Sequence, residues 1–135
     1  MANRPFFTDQ SSWTSGRAIL DIKFVTDGSG DVVVGSVVAN PNAIVSVVHN
    51  GTGLYDITLK QAWVALLNVS GCVLQAASYS AAQAASVRLQ ADGSDDPDDL
   101  VVTIGLVTGA GVLDNGNNND IVRVVLEMQW NDASA

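Results

Sequence analysis

Apolar residues in this chain recur at every second position over short runs, and turn residues cut the runs about every ten positions. A period of 2 sends neighbouring side chains to opposite faces of a strand, so each run offers one dry face and one wet one. Few architectures accept a chain built this way. An antiparallel sandwich or jelly roll does, because its dry faces meet and its connections stay short. The sharpest instance is Gly51-Thr-Gly-Leu-Tyr-Asp-Ile-Thr-Leu59. Gly51 and Gly53 tolerate the positive φ that a tight reversal needs. The strand that follows puts Tyr55, Ile57 and Leu59 on one face and Leu54, Asp56 and Thr58 on the other.

The rest of the chain reads as further strands beside this one. Residues 1–16 have no period of their own and carry Phe6, Phe7 and Trp13, which suggests an extended arm before a single domain over 17–135. Arg17 to Thr26 alternates, with Ala18, Leu20, Ile22 and Phe24 facing in and Arg17, Asp21 and Lys23 facing out. Asp27-Gly-Ser-Gly-Asp31 has hairpin-turn chemistry. Val32 to Ala39 is apolar throughout, as in a strand covered on both faces, and Asn40-Pro-Asn42 ends it. Ala43 to His49 is expected to pair with Tyr55 to Leu59 across Asn50–Gly53.

Trp63 to Leu74 reads as one long or two shorter strands, with Ser70-Gly71 a candidate bulge. Ala76 to Ala85 fits a short helix or a loop equally well. Val87 to Ala91 and Leu100 to Val107 are further strands. In the last one Val122, Val124, Leu126, Met128 and Trp130 face in, while Arg123, Glu127 and Gln129 face out. The expected fold is therefore all-β: one antiparallel β-sandwich, jelly-roll-like, of about eight strands.

Composition narrows the partners. Of 135 residues, 47% are hydrophobic and 15% charged, enough apolar material for a sizeable core. The net charge of −8 repels phosphates and anionic lipid, so neither nucleic acid nor membrane is an expected partner. Residues 61–87 are uncharged, but Gln, Asn, Ser and Gly interrupt them too often for a membrane span. The N-terminus lacks the apolar core of a secretion signal. Cys72 is the one cysteine, which excludes an internal disulfide and suggests a small core residue.

Residues that could carry chemistry are sparse. His49 is the one histidine, at a strand end beside a turn, with no Gly-x-Ser-x-Gly elbow anywhere in the chain. No phosphate-loop or dinucleotide fingerprint is present, so no cofactor is expected. Asp92–Asp99 and Asp114–Asp120 are rich in oxygen ligands of the kind calcium takes, with Asp114, Asn118 and Asp120 the best set. The same residues are also what ordinary turns use to cap their own backbone. Trp130 reads as core; Trp13 and Trp63 are open between core packing and sugar stacking. The chain reads as non-enzymatic.

The stretch from about Asp31 to Leu59, ending in Gly-Thr-Gly-Leu-Tyr-Asp-Ile-Thr-Leu, resembles small β-sandwich structural proteins of tailed bacteriophages. In that pattern a strand, a Gly-x-Gly turn and Tyr-x-Val/Ile-x-Phe/Leu precede a late alternating strand, here Asp120 to Trp130. Leu59 stands where Phe is usual. The resemblance implies a homotrimeric capsid decoration (cement) protein bound to the major capsid protein, made in a host cytoplasm and carried on the virion. The alternatives to that first reading are a receptor- or glycan-binding head module of a phage fibre, or a carbohydrate-binding module. On the first, Phe6, Phe7 and Trp13 are candidate partner-binding residues, and the uncharged 61–87 segment suits a subunit contact.

Overall fold

The computed structural model describes residues 17–129; Phe6, Phe7, Trp13 and Trp130 lie outside them. Eight strands follow in chain order: β1 (Arg17–Val25), β2 (Val38–Asn40), β3 (Ile44–His49), β4 (Leu54–Leu59), β5 (Ala65–Leu74), β6 (Ser86–Asp92), β7 (Val101–Val107) and β8 (Ile121–Gln129). No helix occurs among the described residues. All pairings are antiparallel, in the order β2-β1-β8-β5-β6-β7-β4-β3. The fold is the expected all-β, sandwich-like one, made from a single sheet that nearly closes into a barrel.

Two features fold that sheet over. The outermost strands β2 and β3 are joined only by residues 41–43, a link of about 14 Å at full stretch, so the two ends of the sheet must lie close together. Midway along, β5 meets β6 at the single pair Cys72↔Ser86. The sheet therefore divides there into two layers, β2-β1-β8-β5 and β6-β7-β4-β3.

The alternation seen in the sequence places the core between those layers. Leu20, Ile22 and Phe24 of β1 and Val122, Val124, Leu126 and Met128 of β8 are buried from one side. Tyr55, Ile57 and Leu59 of β4 and Val102, Ile104 and Leu106 of β7 meet them from the other. Burying one such aliphatic or aromatic side chain stabilises the fold by about 1.5–3 kcal/mol.

Several expectations are revised. Residues 32–37 are not a covered strand. An isolated bridge from Thr26 to Val32 begins the segment, Gly35 takes a φ of +79°, and the Ser36 hydroxyl bonds back to the Val33 carbonyl at 2.7 Å. Val34 consequently stands 98% exposed. Ala76–Ala85 is a loop, held by the Gln75 side chain, which bonds to Ser80 N–H and to the Ser80 and Ala84 carbonyls. Trp63 to Leu74 gives one long strand whose bulge is at Leu66–Asn68 and not at Ser70-Gly71. Cys72 is exposed: Val73 beside it faces the core, so the pleat turns Cys72 outward. Trp63 is a core residue, buried with its indole N–H unpartnered among the described residues.

Candidate functional site

Four connections gather at one end of the sandwich: residues 26–37, 50–53, 75–85 and 108–120. They are tied to one another by backbone bonds, including Thr26 N–H to the Asp120 carbonyl (3.0 Å), Asn119 N–H to the Thr26 carbonyl (2.9 Å) and Gly109 N–H to the Ala81 carbonyl (2.9 Å). The buried Thr26 hydroxyl donates to the Asn117 carbonyl at 2.6 Å.

His49 lies inside this cluster. The β3–β4 register sets it directly opposite Tyr55, and the two rings stack at 4.9 Å between centroids. Its Nδ1 is 2.8 Å from Asp31 Oδ1 and its Nε2 is 2.9 Å from Asn115 Oδ1. Asn115 Oδ1 also accepts the Gly53 N–H at 2.7 Å, which fixes the orientation of the amide. The imidazole thus joins three connections through one ring.

Chemically, this set is a fastener. An acid orienting an imidazole is half of a hydrolytic triad, and Asp31 supplies that half. The other nitrogen, which would meet a substrate, is held by Asn115. Tyr55 is equally committed: it is fully buried, its hydroxyl donates to the Gly30 carbonyl, and it accepts the Gly116 N–H at 3.3 Å. Burial pushes its pKa up to about 12; the nearby carboxylates of Asp31, Asp27 and Asp114 push the same way, and the Gly116 bond pulls it down. Near neutral pH the phenol keeps its proton and acts as a donor.

The oxygen-rich loops are occupied in a similar way. Buried Asp120 accepts Ala76 N–H on Oδ1 and Asn117 N–H on Oδ2, both at 2.9 Å. Of the candidate set Asp114, Asn118 and Asp120, Asn118 is exposed and Asp120 is buried. In the other loop Asp92 Oδ1 caps Ser94 N–H and Asp96 Oδ1 caps Asp98 N–H. Among the described residues no group of three His, Cys, Asp or Glu side chains is placed to hold a metal ion.

Sequence reasoning placed His49 at a turn and missed Asp31 and Asn115, which are 18 and 66 residues away from it. No local motif could have joined them.

Two other regions are open to partners. Over the β1–β8 pair a cleft of about 420 Å³ has Lys23 directly across from Arg123, with Asp21 on the same face. The second region is the parting between β5 and β6. It is closed at one end by Val73 N–H to the Ala85 carbonyl and at the other by Trp63 N–H to the Ser94 carbonyl. Between them lies a cleft of about 300 Å³ lined by Leu66, Leu67, Asn68, Val69 and Leu89. No protein-family model, curated protein or solved structure matches the chain.

Proposed function

We propose that this chain is a non-enzymatic virion structural protein, a capsid decoration protein that binds and stabilises the major capsid protein shell as a homotrimer. The observation that carries the reading is β5. The uncharged 61–87 stretch surfaces there as a ten-residue strand, with one edge largely unpaired among the described residues and with Leu67 and Leu74 exposed. Charge is depleted at the centre of protein contacts, and an open apolar edge left in water recruits other chains. The interlocked loop end supports a structural role, since its histidine, tyrosine and buried aspartate are spent on holding the fold. The resemblance to phage sandwich proteins supplies the virion setting.

Phe6, Phe7 and Trp13 are the side chains this reading assigns to the shell. Large apolar groups in an aperiodic segment need a cover, and a capsid surface provides one. The deciding experiment is re-addition of purified protein to stripped capsids. Full-length protein is expected to rebind, and protein lacking residues 2–13 is expected to keep its melting temperature and lose the binding. Full-length protein that ignores stripped capsids removes the reading.

A further inference from the structure

We infer that copies of this chain meet head to tail, the β5–β6 side of one sandwich against the β2–β3 side of the next. The inference rests on the homotrimer of the proposed function and names its two contact faces.

The argument begins with charge. At −8 per chain, two copies repel wherever carboxylates meet. The charged residues of the described chain sit on β1, β4, β6 and β8, at Lys60 just past β4, and in or beside the loops 27–31, 92–99 and 114–120. Two long stretches carry none: residues 32–48 and residues 61–87. The strand order sets them on opposite sides of the sandwich, β2 and β3 closing one side and β5 lining the other.

Both sides offer the same kind of surface. β3 is the last strand of the sheet and, among the described residues, pairs with β4 alone. Among the described residues β5 has no partner on its second edge from Ala65 to Gly71. Neither strand carries a proline, Asp, Glu, Lys or Arg, the usual guards of an open edge. Val45 on β3 is 65% exposed, and Leu67 on β5 is 42% exposed.

A two-fold contact of β5 with its own copy would cover one uncharged side and leave the other wet. A head-to-tail contact covers both, and when its rotation closes it makes a ring with no open edge.

The test needs no capsid. Light scattering is run on the purified full chain, on Val45→Lys, on Leu67→Lys, and on the two variants mixed in equal amounts. Wild type is expected to give a closed multiple of the chain mass, and each variant alone a monomer. The mixture is expected to give a dimer, because each variant keeps one intact side. Val45→Lys assembling like wild type, a mixture that stays monomeric, or a monomeric wild type each overturns the inference. Circular dichroism checks every variant, and Val48→Lys or Leu74→Lys replaces one that unfolds. A ring that assembles as described yet fails to bind stripped capsids would sink the decoration reading and leave this contact standing.

Discussion

The Phe24 ring lies 5.4 Å from the Tyr55 ring, tilted by 41°, although β1 and β4 stand second and seventh in the sheet order. Only a sheet folded over itself brings them together, and Tyr55 then runs on from the core into the loop end. Its hydroxyl is the one polar group of that buried pair, and it serves both Gly30 and Gly116.

Tyr55→Phe keeps the ring and removes the hydroxyl, leaving a buried carbonyl and a buried N–H without their partner. The expected loss is about 1–3 kcal/mol in chemical denaturation. The variant also isolates a pH effect. Because the folded pKa is raised to about 12 from 10.0, the folded state holds the proton longer than the unfolded one. That contribution is whole below pH 10 and is lost as pH rises from 10 to 12. Wild-type melting temperature should fall more steeply than that of Tyr55→Phe across this window; parallel curves would refute the assignment.

Asn115→Ala frees both the Gly53 N–H and His49 Nε2, and should cost about 1–3 kcal/mol. Since His49 loses the same bond, His49→Ala and Asn115→Ala are expected to be non-additive, with a coupling of at least about 0.5 kcal/mol in a double-mutant cycle. Strict additivity would mean that the ring does not join these loops. Gly30→Ala offers a third approach, for its Cβ would stand 2.7 Å from Asn115 Cβ and drive that side chain off the imidazole.

Much of the fold is legible in the sequence because a period of 2 marks which face is dry. β1, β4 and β8 were readable for that reason: polar residues on the wet face of each give away its phase. In β5 the signal fails, since apolar and small neutral residues occupy both faces, and Cys72 looks like core. Val32–Val37 misleads in the same way. It is apolar enough for a covered strand, but Gly35 and Ser36 bend it into solvent. The loop fastener is not legible at all. His49 is visible as a residue, but Asp31 and Asn115 meet it only through the closure of the sheet.

The Gly51-Thr-Gly53 turn separates two roles that the sequence shows as one. Gly51 has a φ of +109° and open space around it, its nearest neighbour being Leu54 Cδ1 at 3.6 Å. Gly53 has a φ of +70°, and an added Cβ would lie 2.7 Å from Asp114 N and 3.0 Å from the Leu106 carbonyl oxygen. Both alanine variants carry the backbone cost of about 1–2 kcal/mol. Gly53→Ala must also push apart two backbone segments, so it is expected to be the more damaging by at least about 1 kcal/mol. Equal melting temperatures for the two variants would count against the close approach.

Asp120 carries the last prediction. Its two carboxylate oxygens accept Ala76 N–H and Asn117 N–H, so it joins the β5–β6 connection to the β7–β8 connection from a buried position. Hydrogen bonds to a charged acceptor contribute more than neutral ones. Asp120→Ala is expected to lower stability by about 1.5–3 kcal/mol. Asp120→Asn keeps one acceptor oxygen and turns an NH₂ toward the other amide, so it should recover only part of that loss. Adding chelator to wild type should leave the melting curve unmoved, because a ligand stabilises a fold only when it binds the folded state. A chelator-dependent drop in wild type that disappears in Asp120→Asn would show instead that this loop holds an ion.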